Sequence, residues 1–97
     1  MFRIEETDID GLRKVIFVLP EKTGKKLFLV GSFNSWDIGV CAMEYSDAED
    51  AYMCVQMLAP GRYEYKFVCD GSWLLDESNP NFTANDFGTL NSVLEVR

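Results

Sequence analysis

Short runs of alternating polarity, turn residues roughly every eight to twelve positions, and the lack of a sustained helical period predict an all-β chain, folded as an immunoglobulin-like sandwich of about seven to eight strands. The 97 residues are read as one domain, 1–97, with residues 1–12 as an edge strand or extension. Hydrophobic residues make up 47% of the chain and aromatics 13%, enough to build a core without metals or disulfides.

Taken in order, Arg13 to Leu19 is a strand with Val15, Phe17 and Leu19 on one face, ended by Pro20 and a polar turn at 21–24. Lys26 to Gly31 is expected to return as its hairpin partner. Because Leu27-Phe28-Leu29-Val30 is apolar on both faces, a central rather than an edge position is expected. A polar loop, Ser32 to Gly39, carries Phe33 and Trp36; a weak strand over Val40 to Tyr45 and an acidic turn, Ser46 to Asp50, follow. Two strands, Ala51 to Leu58 and Arg62 to Cys69, are joined by Ala59-Pro60-Gly61. In the first, Tyr52, Cys54 and Gln56 compete with Met53, Val55 and Met57 for the inward face, and the Tyr52 side is favoured. In the second, Tyr63, Tyr65, Phe67 and Cys69 face inward, so Lys66 points away from the core. Asp70-Gly71 begins a turn presenting Trp73, and a long irregular segment, Asp76 to Gly88, leads to a last strand, Leu90 to Val96.

Nine Lys and Arg against sixteen Asp and Glu give a net charge of −7, which repels a polyphosphate backbone and makes nucleic acid a poor partner. A neutral polymer feels almost none of that repulsion. Cys41, Cys54 and Cys69 form no CxxC pair, and an odd count leaves at least one thiol unpaired, which fits a reducing compartment. Met1 to Asp10 lacks the basic start and apolar stretch of a secretory signal, and no run approaches the length of a membrane span. A cytoplasmic protein with no membrane partner is expected. Histidine is absent, which removes the usual general base and the commonest metal ligand.

Glycoside hydrolysis needs two carboxylates flanking the scissile bond. Asp76 and Glu77 are sequence neighbours that extended structure points apart, Asp86 lies in a loop, and no catalytic residue is assigned. Asp47, Glu49 and Asp50 match no defined calcium loop and read as a solvated turn, so no metal or cofactor is expected. Each tryptophan must either fold back over the core or stand exposed for a ligand. Pyranose rings offer C–H patches that pack on an aromatic face, and hydroxyls that seek polar groups at its rim. Trp36 and Trp73, each just past a strand end, supply such faces, with Lys66 and Asn91 as polar neighbours. Phe33 is expected in the core, Asn34 as a brace for its loop, and Gly31, Gly61, Gly71 and Gly88 at turns needing unusual backbone angles.

Four motifs occur in order: Leu29-Val30-Gly31-Ser32-Phe33-Asn34-Ser35-Trp36; Pro60-Gly61-Arg62-Tyr63-Glu64-Tyr65-Lys66-Phe67-Val68-Cys69-Asp70-Gly71; Trp73 with Asp76; and Asn79-Pro80-Asn81 through Phe87-Gly88-Thr89-Leu90-Asn91-Ser92-Val93. With these motifs the sequence resembles the family 48 carbohydrate-binding modules, which include isoamylase amino-terminal domains and kinase β-subunit glycogen-binding domains, from about Val15 to Val96. The resemblance implies a sandwich of the E-set type that binds α-1,4/α-1,6-glucan (glycogen, starch, maltooligosaccharides) without cleaving it. It implies Trp36 and Trp73 as stacking platforms, Lys66 and Asn91 as hydrogen-bonding groups and Thr89 as a further polar contact. Phe87 stands where the kinase domain projects a leucine into the curve of the glucan; it either serves as that wedge or packs inward. Glu77 replaces a proline common in relatives. The alternative is a protein-interaction or regulatory module, or an amino-terminal domain packing on a glycogen-metabolising enzyme or kinase partner.

Overall fold

The structure, a computed structural model, describes residues 2–7, 9, 11–20 and 26–97. Among them are nine strands: β1 (Phe2–Glu6), β2 (Arg13–Leu19), β3 (Leu27–Gly31), β4 (Glu44–Ser46), β5 (Ala51–Leu58), β6 (Gly61–Cys69), β7 (Ser72–Leu74), β8 (Phe82–Ala84) and β9 (Leu90–Val96). A 3-10 turn, Ser32–Asn34, follows β3. Two antiparallel sheets form, one in the order β1-β2-β5-β4 and the other β3-β6-β9-β8, with β7 also on β6. β8, three residues long, is too short to leave a period-two signature, which is why 76–88 reads as irregular in the sequence.

The core lies between the sheets. Val15 and Phe17 from one sheet meet Leu29, Tyr65, Phe67 and Leu94 from the other, all fully buried. Phe17 and Tyr65 stack edge to face with ring centroids 4.9 Å apart. Each such burial contributes about 1.5–3 kcal/mol, and the inward rows of β2 and β6 therefore set the layers. The favoured face of β5 is the inward one: Tyr52 is buried and Cys54 packs against the core, while Val55 and Met57 face solvent. Phe33 packs on the core through Phe17 and Tyr63, as expected.

Several expectations are corrected. Arg13–Leu19 and the strand after it are not a hairpin: β2 pairs with β1 and β5, and β3 pairs with β6 in the opposite sheet. Both carry inward apolar rows, and two such rows bury each other better across the sandwich than side by side. The turn proposed at 21–24 lies outside the described residues. β3 is not central either, for it ends its sheet. Its free edge is capped by the segment 41–43, where Leu29 N donates to Cys41 O and Met43 N to Leu27 O. The strand expected over Val40–Tyr45 is instead a bridge at Ala42 to Phe28, followed by β4 in the other sheet.

On the outer face of the second sheet Phe28 of β3 stands opposite Val68 of β6, and Val30 opposite Lys66. Val30 is fully buried there, and Ile38 lies beside Phe28 and Val68 in a hollow. Gly31 and Gly61 do not need unusual angles; among the glycines named, only Gly71 (φ +83) and Gly88 (φ +79) do. Gly31 is extended, and a Cβ there would sit 2.6 Å from both the Glu64 carbonyl oxygen and the Phe33 ring.

Candidate functional site

The site is built on a seam in the second sheet. Along one edge of β6, β9 pairs over Gly61–Tyr65 and β7 takes over from Phe67 to Cys69. The handover falls at Lys66. Its outward side chain rises between β7, which carries Trp73, and the start of β9, which carries Asn91 and follows directly on Thr89.

Trp73 is not in a loop. Asp70 (φ 53) and Gly71 (φ 83) form the two-residue hairpin turn that favours positive angles at both positions, and the returning β7 sets Trp73 opposite Val68 on the outer face. Trp73 is 45% exposed. Trp36 approaches from the other side, on the loop after β3. Ser35 and Trp36 both adopt left-handed backbone, φ 56 and 60, a costly conformation for a bulky residue that surrounding contacts must hold. Trp36 N donates to Gly31 O, while Asn34 bridges the loop by accepting from Gly31 N and donating to Leu29 O. Asn34 is thus the expected brace.

Phe87 does not pack inward. At 91% exposure it crowns a turn, 85–89, made by Gly88 with its positive φ and by Asn85. Thr89 Oγ1 accepts from Lys66 Nζ at 3.4 Å and from Asn85 Nδ2 at 2.8 Å. Asn91 bonds side chains rather than local backbone: its Nδ2 donates to Glu64 Oε1 and its Oδ1 accepts from Asn85 Nδ2. Lys66 and Asn91, 8% and 7% exposed, are fixed groups rather than solvated ones.

Trp36, Lys66, Trp73, Phe87, Thr89 and Asn91 all line one open groove of about 850 Å³. Ser32, Glu64, Ala84, Asn85 and Asp86 complete its wall. Glu64 and Asn85 escape sequence reasoning. Glu64 looks like an ordinary surface charge on an alternating strand, and Asn85 sits in a stretch without periodicity. The only available signal for Asn85 is its type, since Asn before Asp-Phe-Gly is a turn former.

Of the carboxylates weighed in the sequence for hydrolysis, Asp86 lines the groove, while Asp76 is 1% exposed and lies in the interior. It accepts from Tyr65 Oη at 2.7 Å and from Ser78 Oγ, and its backbone N donates to Ser92 Oγ. Burial opposes its ionisation, but the hydrogen bonds it accepts, Tyr65 and Ser78 among them, outweigh that and hold its carboxyl below the ordinary range. Burial, then the bond to Asp76, pushes the Tyr65 phenol up.

A family model described as the glycogen recognition site of AMP-activated protein kinase matches residues 15–97. The chain belongs to this family. Over 74 residues, 76% of the chain, it is 32% identical to the 5'-AMP-activated protein kinase subunit beta-1 of Sus scrofa and to subunit beta-2 of Homo sapiens, and 34% identical to subunit beta-1 of Bos taurus. It spans 57% of the first of these relatives and 26% of the other two. The match begins at the first strand of the core and takes in every segment that lines the groove.

Proposed function

We propose that the chain is a non-catalytic module that binds α-1,4/α-1,6-linked glucan, such as glycogen, starch or maltooligosaccharides. The observation that carries the reading is the convergence of two indoles, an ammonium and a side-chain amide on one groove, with an unpacked phenyl ring standing over it. Glucose C–H faces stack on Trp36 and Trp73. Lys66 Nζ, with one N–H turned to Thr89, has two others for sugar hydroxyls. Phe87 fills the inner curve of a helical glucan. Asp76 is sealed in the interior and Glu64 is occupied by Arg62 and Asn91, which leaves Asp86 as the remaining carboxylate lining the groove, one where glycoside hydrolysis needs a pair.

The whole chain is proposed to act as one domain, 1–97. Its relatives are named as subunits of a kinase, and a kinase or a glycogen-metabolising enzyme is the proposed protein partner. Its setting is proposed to be cytoplasmic: the thiols suit a reducing compartment, and that of Cys54 is pushed up to about 12, chiefly by burial and then by its bond with Cys41, which keeps it unreactive.

Purified protein should slow in a native gel cast with glycogen and leave the polymer's reducing ends unchanged. Steady release of reducing sugar would overturn the non-catalytic assignment. No binding of maltoheptaose at millimolar concentration would favour the interaction-module reading instead. Affinity for short oligosaccharides should be micromolar to millimolar in order of magnitude, because an open site recovers little energy after ordering a flexible chain, and pre-curved cyclodextrins should bind better.

Lys66→Met keeps the aliphatic stem and removes the donor, and should weaken glucan binding by about 1–2 kcal/mol. Wild-type affinity should stay nearly flat between low and moderate salt, since a neutral sugar offers no charge to screen. Calorimetric titration of both proteins at two salt concentrations checks this, and a steep salt dependence would point to a charged partner.

A further inference from the structure

We propose that Asn85 is the positioning residue of the groove: it touches no sugar and sets the groups that do, a role that rests on the α-glucan reading above. Every hydrogen-bonding position of its side chain is taken. Oδ1 accepts from the backbone N–H of Phe87 at 3.0 Å and of Thr89 at 3.1 Å. Nδ2 donates to Thr89 Oγ1 at 2.8 Å and to Asn91 Oδ1 at 2.9 Å. A side-chain amide has two donors and two acceptor lone pairs, so none is left for a ligand.

The two halves of the amide do different work. The oxygen closes the turn, helped by Asn85 N donating to Thr89 O, and so raises Phe87 into solvent. The nitrogen sets polarity. With Lys66 and Asn85 both donating to Thr89 Oγ1, its lone pairs are used and its own hydroxyl proton is turned outward as a donor. With Oδ1 of Asn91 held by Asn85, its amide nitrogen must face Glu64, whose other oxygen is held by Arg62 at 2.9 Å. A continuous rail, Arg62–Glu64–Asn91–Asn85–Thr89–Lys66, crosses the groove, and Asn85 is its turning point. Such prepaid order is what a shallow site needs to bind a flexible chain.

Asn85→Asp separates the two roles, because a carboxylate still accepts from the turn N–H groups but faces Thr89 and Asn91 with lone pairs instead of donors. The Thr89 hydroxyl then swings inward and Asn91 loses its fixed orientation. The test uses wild type, Asn85→Asp, Asn85→Ala, the pair Thr89→Val with Asn91→Ala, and that pair combined with Asn85→Asp. Binding is read by maltoheptaose titration and by retardation in glycogen gels, which register weak binding through multivalency.

Asn85→Asp should bind about tenfold more weakly, with a melting temperature within about 3 °C of wild type. In the Thr89/Asn91 background it should have no further effect, because residues that act through one another are not additive. If Asn85→Ala fails to fold, Asn85→Asp carries the test. Wild type that does not bind sinks the glucan reading and this role together. Wild type that binds while Asn85→Asp stays within about twofold of it overturns the role alone, as does a loss that persists in full in the Thr89/Asn91 background or tracks a fall in melting temperature.

Discussion

Replacing Trp36 and Trp73 together with alanine should abolish measurable binding of maltoheptaose and leave the fold standing. Each indole stacked on a sugar is worth about 1–3 kcal/mol, so the double variant loses about 2–6 kcal/mol, enough to take a micromolar-to-millimolar interaction out of range. The cost to folding is small for physical reasons particular to each residue. Trp73 is 45% exposed on a short hairpin whose backbone pairing with β6 does not depend on the side chain. Trp36 is half-buried, but its loop is held by Asn34 and by its own backbone N–H. Chemical denaturation should place both single variants within about 1 kcal/mol of wild type. A loss of 3–5 kcal/mol, the range of a core aromatic, would show that the residue is structural and that the platform is misassigned.

The largest effect on stability is expected at Tyr65, where Tyr65→Ala should cost about 3–5 kcal/mol. Its ring is fully buried against Phe2, Phe17 and Phe67, and its hydroxyl is shared by Asp76 and Asn79. Tyr65→Phe isolates the second contribution and should cost about 1–3 kcal/mol, since it leaves a buried carboxylate short of a donor. The same network predicts an acid limit. Asp76 is depressed in the folded state, so its contribution is complete above its unfolded value near 3.8 and is lost as pH falls through the lower folded value. Unfolding midpoints measured from pH 6 downward should therefore fall below about pH 4 in wild type, and fall less in Asp76→Asn, which has no carboxylate to protonate. Parallel curves for the two proteins would rule out Asp76 as the source. The groove should be affected only through stability, because Asp76 does not line it.

Much of the sandwich was legible because a strand's signature is local. Tyr63, Tyr65 and Phe67 alternate with Arg62, Glu64 and Lys66, whatever the rest of the chain does, while Val15, Phe17 and Leu19 belong to a short apolar run ended by Pro20. The face of β6 could be read from that period alone, whereas in β5 the rows of Tyr52 and Met53 compete and in β2 Ile16 and Val18 are apolar too, so there the inward face is a preference that packing settles. Which strand pairs with which could not be read from it, since β2 and β3 are each apolar enough to sit in either layer, and the choice is made by where their inward rows bury the most area. The edge of β3 was misleading for the same reason. Its two-sided apolarity goes with an outer face that is itself covered, where Val30 is fully buried and Ile38 lies beside Phe28, which no local pattern announces.

The sequence by itself offered Trp36 and Trp73 as aromatic faces just past strand ends, with Lys66 and Asn91 as polar neighbours, while Thr89 and the contact role of each came from the resemblance of the motifs to the carbohydrate-binding modules. Only the tertiary structure decided that they meet. The seam at Lys66 exists because β7 and β9 share one edge of β6, a fact spread over some thirty residues of chain. It also decided that Phe87 stands free instead of packing, since that depends on the hydrogen bonds of Asn85, a residue whose chemistry is invisible until Thr89 and Asn91 are brought beside it.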